Sequence, residues 1–272
     1  MKKILAALLA ALMLFAVVGC AQSTTSDPAP SSGSDAPKKQ LLVAVNAEFE
    51  PFESMDASGN IVGFDIDLMN ALAEKAGYTV KYENMEFDGV IAAVAAGSHD
   101  ASISGLTISP KRQLSVDFTD PYYDGASQIL IVAKDDTTFT GQTKAELDEQ
   151  LKGKTIGVCT GFTGQAYAQG DTDWGFPGIE GADVKIYENI SLAIADIKNG
   201  TLDAVIMDDT PAKEAAKANA DDVKVVDVPL TTEEYAIAVA KTNPTLKSEL
   251  NTALAALKSD GTLQKLIEKY SL

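Results

Sequence analysis

Two kinds of hydrophobic periodicity alternate along this chain. Residues 41–45, LLVAV, form the short apolar run that a buried strand needs. Phe64, Leu68, Leu72 and Ala76 then recur at helical spacing until Gly77 stops the pattern ahead of the strand-like YTVKYE. A helix over 87–96 stopped by Gly97, the strand ASIS, a Ser109-Pro110 turn and a strand over 116–118 complete a first series. After the long apolar SQILIVAK comes a second: helix 143–151, strand TIGV, a helix from Thr163, strand VKIY, helix SLAIADIKNG, strand DAVIM, helix TPAKEAAKA and strand VKVVD. A further long strand, EYAIAVA, and helices over 244–258 and 262–270 end the chain. Such alternation predicts an α/β fold with parallel sheets covered by helices. SQILIVAK and EYAIAVA bracket the second series, so two lobes joined by two crossing strands are expected: lobe 1 from 41–126 and 233–272, lobe 2 from 127–232.

The start of the chain follows neither period. Lys2 and Lys3 precede an unbroken apolar run over residues 4–18, shorter than the roughly 20 residues of a membrane-spanning helix and typical of a signal peptide, here residues 1–19. Val17-Val18-Gly19-Cys20 resembles the lipobox of bacterial lipoproteins, which implies cleavage before Cys20 and a lipid on that residue. A short membrane anchor and cleavage elsewhere are the alternatives. Residues 21–37 hold seven Ser/Thr and three Pro and no large apolar side chain, so residues 20–40 read as a tether between membrane and body.

Composition narrows the chemistry. With 22 Lys+Arg against 39 Asp+Glu the formal charge is -17, which repels nucleic acid and anionic lipid alike. One His and two widely separated Cys rule out a zinc constellation and a disulfide framework. No metal or cofactor is expected, and chemistry falls to carboxylates, Arg, hydroxyls and backbone. Ser109-Pro110 is a good helix start, which puts Arg112 in a first turn where a cation opposes the helix dipole. That placement suits either a solvated side chain or an anion site shared with free N–H groups. Gly161, Thr163 and Gly164 open another helix and offer a second cluster of N–H groups. Asp65 and Asp67 look like a catalytic pair, but their spacing points them apart and helix-dipole stabilisation accounts for both. Cys159 and His99 form the only nucleophile and base pair, and they sit at opposite ends of their strands.

The segment GFDIDLMNALAEKA over 63–76 resembles the signature of the amino-acid class of extracellular solute-binding proteins, the receptors of ABC importers. NAEFEPFE (46–53), SGLTISPKR (104–112), GVCTGFTG (157–164) and LDAVIMDDTPA (202–212) agree in order and spacing, and the resemblance covers residues 41–270. It implies a two-lobed periplasmic-binding-protein-like fold of type II and a monomer. It also implies a non-enzymatic role: a free L-amino acid is captured by hinge closure and delivered to a permease. Arg112 would grip the ligand carboxylate with help from Thr163 and Thr107. Asp208, five residues after Asp203, would accept from the ammonium group; Asp209 is then a helix N-cap. Phe49 and Phe87 would sandwich the ligand side chain beside Asn46 and Phe52, with Ser104, Gly105 and Thr160 completing the set. Asn46 stands where receptors for basic amino acids often carry Asp, so its neutrality points to a polar ligand such as glutamine, although Glu48 or Glu53 offers a charge nearby. The rival readings on the same fold are a periplasmic enzyme resembling cyclohexadienyl dehydratases and a ligand-sensing receptor.

Overall fold

The structure, a computed structural model, describes residues 39–272; the expected signal peptide, the Cys20 lipidation site and the tether up to residue 38 lie outside the described residues. The first series begins with β1 (Lys39–Val45), two residues ahead of the expected start. It continues through β2 (Glu48–Phe49), β3 (Glu53–Met55), β4 (Ile61–Val62), α1 (Phe64–Ala76), β5 (Tyr78–Asn84), α2 (Phe87–Ala95), β6 (Ala101–Ser102), α3 (Pro110–Gln113), β7 (Val116–Phe118) and β8 (Tyr123–Ala126). The second holds β9 (Gln128–Ala133), α4 (Lys144–Leu151), β10 (Thr155–Cys159), α5 (Thr163–Gln169), β11 (Asp183–Tyr187), α6 (Ile190–Lys198), β12 (Ala204–Asp208), α7 (Asp209–Ala218) and β13 (Val223–Val226). β14 (Glu233–Tyr235), β15 (Ala238–Ala240), α8 (Pro244–Ser259) and α9 (Thr262–Tyr270) follow.

Two five-stranded sheets result, ordered β5-β1-β6-β15-β7 and β11-β10-β12-β9-β13. They are mixed, not purely parallel. β5, β1 and β6 run parallel, as do β11, β10 and β12, while β15 runs against β6 and β7, and β9 against β12 and β13. The exceptions have one cause. Native strands of each sheet end at the cleft, so a strand arriving from the other lobe enters from that side and must run the opposite way. Neither crossing strand is the long one expected. SQILIVAK lies within the second sheet and the crossing falls to β8 just before it; EYAIAVA breaks after Tyr235, so that β14 pairs antiparallel with β8 while β15 joins the first sheet.

Leu41, Val43, Val45, Leu68, Met69 and Leu72 bury one face of α1 against the first sheet, and Leu130, Val132, Leu147, Leu151, Ile156 and Ile206 fill part of the second. α8 and α9 pack on α1, where Lys269 Nζ and Tyr270 Oη reach the same Asp67 oxygen at 2.6 and 2.8 Å. No helix among the described residues is long and apolar enough to cross a membrane. The entry to α1 is set by backbone. Phe64 and Asp65 N–H groups donate to the Pro51 and Phe52 carbonyls, at 3.0 and 2.9 Å, which satisfies the helix start without a side-chain cap. That approach requires Gly63: its φ is 138°, and a Cβ there would stand 2.1 Å from the Phe52 carbonyl oxygen.

Gly63→Ala is therefore expected to lower unfolding free energy by at least ~2 kcal/mol, against about 1 kcal/mol for Gly59→Ala, whose positive φ faces open space. Urea unfolding of the two variants checks this, and equal losses would show that the close approach to Phe52 does not hold α1.

Candidate functional site

The ends of β6, β10 and β12 meet across the boundary between the sheets, and the loops beyond them carry the charged residues. Ser109 caps α3 by accepting from the Arg112 N–H at 3.2 Å, with Pro110 in the first turn. Arg112 is only 7% exposed. Its Nη1 donates to the Thr107 carbonyl at 2.9 Å and its Nη2 to the Gly161 carbonyl, in the other lobe, at 3.1 Å. The guanidinium lies between the Phe87 ring at 5.3 Å and the Trp174 ring at 4.9 Å. Burial lowers its pKa to about 10, opposed by Glu233 and Asp208, so it remains a cation at neutral pH. A guanidinium carries five N–H donors, and donors beyond these two remain for an anion.

Asp208 ends β12, is 3% exposed and accepts from the Tyr235 hydroxyl at 2.7 Å. Burial first, then Glu233, pushes its carboxyl up to about 7. The helix boundary corrects one expectation: Asp208, not Asp209, occupies the N-cap position of α7, and its side chain makes no capping bond. Asp209 turns instead to Ser127, donating its N–H to the Ser127 carbonyl at 2.8 Å.

A cavity of about 10 Å³ lies between these charges, lined by Phe49, Phe87, Gly105, Thr107, Arg112, Phe162, Thr163 and Asp208. Seven of these eight were named from sequence. The eighth, Phe162 of the second lobe, meets Phe87 at 4.2 Å and Phe49 at 5.6 Å between ring centroids, across the boundary. The first-turn N–H groups of α5, from Thr163 and Gly164, have no carbonyl within their helix to donate to.

Three named residues turn elsewhere. Asn46 Nδ2 donates to the Met85 carbonyl at 3.0 Å, tying the end of β1 to the segment after β5. Ser104 Oγ donates to Glu53 at 2.6 Å, drawn by a buried carboxyl. Thr160 Oγ1 donates to the Tyr187 carbonyl at 3.1 Å, at the end of β11. Phe52 is core, edge-on to Phe64, Tyr123 and Tyr235. The hydroxyls of Thr107 and Thr163 also depart from expectation, since both donate to Glu233 Oε2, at 2.6 and 2.8 Å.

Behind Gly105 lies a pair that no spacing announced. Glu53 and Asp65 are both fully buried; Asp65 Oδ2 accepts from the Gly105 N–H at 2.9 Å and the Tyr122 hydroxyl at 2.8 Å. Glu53 Oε2 and Asp65 Oδ1 have no other partner and face one another, so a proton held by Glu53 donates to Asp65. Helix-dipole stabilisation thus accounts for Asp65 only in part; the residue supports the loop that lines the cavity, and Glu53 lies behind that loop and out of the cavity. Gly105 has φ 53°, and a Cβ there would stand 2.3 Å from the Phe49 ring. Cys159 is 2% exposed, and burial, then Asp208 and Glu48, push its thiol up to about 12, which leaves it a small hydrophobe. His99 sits elsewhere, its Nε2 3.6 Å from Glu83. Among the described residues no cluster of His, Cys, Asp or Glu is placed to hold a metal ion.

Two α/β lobes joined by paired crossover strands, with a buried cation facing a buried acid between them, define a receptor for a small zwitterionic molecule. The chain belongs to the bacterial extracellular solute-binding proteins, family 3, whose profile matches residues 41–272. It is 35% identical over 275 residues to a probable histidine-binding protein of Neisseria gonorrhoeae, covering 99% of this chain and 96% of that protein. It is 34% identical over 273 residues to the arginine-binding extracellular protein ArtP of Bacillus subtilis, covering 99% and 98%. An ancestral arginine-binding protein solved with arginine or with glutamine superposes with TM-scores of 0.75 and 0.73 at 38% identity, covering 86% of this chain and 98% of that one.

Burial raises both acids of the Glu53 and Asp65 pair, so the folded state holds protons that the unfolded state releases. Their contribution to stability is full below the ordinary carboxylate range and declines as pH rises through about 6, the value for Asp65. Glu53→Gln supplies the shared hydrogen bond without a titrating proton, and denaturation midpoints between pH 4.5 and 7 should fall less steeply in this variant than in the wild type. Parallel pH dependences would show that the pair shares no proton.

Proposed function

We propose that this protein captures a free L-amino acid with a cationic side chain outside the cytoplasm and passes it to an ABC permease without altering it. The observation that carries the reading is Arg112, buried with donors to spare, facing an equally buried Asp208 across a closed cavity. One matches a carboxylate and the other an ammonium, and the second acid near Asp208, Glu233, has both carboxylate oxygens taken up by Thr107, Thr163, Thr231 and Gln128, which leaves it no free oxygen for moving a proton on a bound dehydratase substrate. A lipid on Cys20 would hold the protein at the membrane, and a single copy carries a complete site.

Support for a cationic side chain comes from the carboxylates next to Phe49 in sequence. Glu48 lines a groove of about 650 Å³ between the lobes. Burial, then the nearby charges of Glu86 and Glu188, raise the Glu48 carboxyl. None of these three carboxylates has an ion-pair partner among the described residues. The Phe49, Phe87 and Phe162 rings add faces that attract cations. Histidine- and arginine-binding relatives agree with this choice. The argument for glutamine from a neutral Asn46 loses its basis, because that amide is spent on Met85. Glutamine remains the second reading on the ancestral protein that was solved with it.

Calorimetric titration of ligand-stripped protein with arginine, lysine, histidine, glutamine and prephenate tests the proposal. Saturable binding of a cationic amino acid, with prephenate unconsumed, is expected; glutamine alone would select the second reading, and silence toward all four amino acids would defeat the proposal. Arg112→Ala removes one partner of a buried charge pair, at a cost of ~2–5 kcal/mol, so affinity should fall at least ~30-fold. Asp208 must ionise to receive an ammonium group. Affinity should therefore rise with pH up to about 7 and level off above it, with proton release on binding below that value.

A further inference from the structure

Glu233 is the first residue of the β14 crossover and is 5% exposed, yet no Lys or Arg pairs with it among the described residues. With no ion pair in direct contact, and with Arg112 acting on it from a distance, such a buried carboxylate is held by hydrogen-bond donors that replace its water. Here there are four. Oε2 accepts from Thr107 Oγ1 at 2.6 Å and Thr163 Oγ1 at 2.8 Å; Oε1 accepts from Thr231 Oγ1 at 2.6 Å and Gln128 Nε2 at 3.1 Å. Thr107 belongs to the first lobe's loop and Thr163 to the first turn of α5 in the second, and the two hydroxyl oxygens are 3.2 Å apart. One oxygen on the hinge therefore joins both walls of the cavity.

We propose that Glu233 is a positioning residue of the ligand site, taking the hydroxyl protons of Thr107 and Thr163 so that both hydroxyls present lone pairs to the cavity, and setting a second fixed negative charge beside Asp208. A hydroxyl has one proton to give. With both given to Glu233, these threonines accept from a ligand's ammonium group, and the ligand carboxylate is left to Arg112 and to backbone N–H groups. The charged and titratable groups around Glu233 are Arg112 from α3, Asp208 from the end of β12 and Tyr235 on β14 itself, with Asp209 from α7 acting on Tyr235. Among them Asp208 is the group that responds: after burial, Glu233 is what holds its proton to about 7. Glu233 thus makes capture proton-coupled in addition to orienting the ligand. This inference rests on the amino-acid-capture reading.

The test is the pH profile of affinity, from pH 5 to 8.5, for L-arginine, L-histidine and L-glutamine with wild type, Glu233→Gln and Thr163→Val. Glu233→Gln keeps the shape and removes the charge. Its midpoint should move from about 7 toward the ordinary carboxylate range by at least about one pH unit, with about tenfold weaker binding at pH 8.5. Thr163→Val should weaken binding severalfold with the midpoint kept. An unmoved midpoint in Glu233→Gln, with affinity reduced equally at every pH, overturns the proposal and leaves Glu233 a hinge strut. If Glu233→Gln does not fold, Glu233→Asp, which keeps the charge one methylene shorter, decides. Weakened binding with the midpoint near 7 supports the proposal, and wild-type affinity overturns it. Wild type that binds none of the three amino acids at any pH defeats the capture reading instead, so the two failures are told apart.

Discussion

The arrangement depends on keeping one cation dry. Removing Arg112 from water is costly, and the charges facing it, Asp208 and Glu233, would be still costlier alone. Backbone carbonyls of Thr107 and Gly161, one from each lobe, take two guanidinium donors, while Phe87 and Trp174 close over its faces. Because those partners come from both sides of the cleft, Arg112 makes both of these bonds only when the lobes are together, and its remaining donors stay open. On the capture reading proposed above, closure and the assembly of the binding site are one event, as a receptor that presents its closed form to a second protein requires.

The crossover strands extend that logic into the hinge. β8 and β14 are short and pair with each other outside both five-stranded sheets, and β14 is also tied to the Thr107 loop by a bridge from Tyr235 and by the Ile108 N–H donating to the Glu234 carbonyl at 3.0 Å. The same few residues also carry the polar network of the site. Gln128 opens β9 opposite Asp208, Glu233 opens β14, and Tyr235 ends it with a hydrogen bond to Asp208. Asp208 is thus linked by hydrogen bonding and strand pairing to the segments that cross between the lobes.

How far the sequence revealed this follows from which signals are local. Helix and strand periods, the Ser109-Pro110 start and the glycine stops depend on near neighbours, and the elements they predict are present with small shifts of boundary. Family motifs placed Phe49, Phe87, Gly105, Thr107, Arg112, Thr163 and Asp208, and these residues line one cavity. The motifs misled where a polar side chain had a closer customer: Asn46, Ser104 and Thr160 each spend their group on a neighbouring strand or a buried acid. Glu53, Asp65 and Glu233 were opaque for another reason. Acidic residues in so acidic a chain read as surface, and only tertiary contacts spanning 40 to 126 positions make them interior. A faint signal did exist for Glu233: it directly precedes the predicted crossing segment EYAIAVA, where a charge facing a dry boundary calls for a reason.

The size of the cavity shows what closure must still accommodate. About 10 Å³ holds roughly one water molecule, far less than any amino acid. Phe162 packs against Phe49 and Phe87 from the opposite lobe, so apolar surface is buried at the boundary whether or not a ligand is bound. On the capture reading, entry of a ligand must part those rings, which then take its side chain between them, while the charges at the cavity's other end exchange one another's company for a carboxylate and an ammonium. Aromatic contact therefore favours the closed form in both states, and the polar end decides between them. The charge of Glu233 raises the Asp208 carboxyl and Arg112 lowers it, so on the capture reading an ammonium group or a proton relieves what Arg112 leaves of that repulsion. On the capture reading, ligand ammonium and proton are therefore alternative occupants of the same electrostatic role, and the two buried acids discriminate between an empty and a loaded site together with Arg112 opposite them.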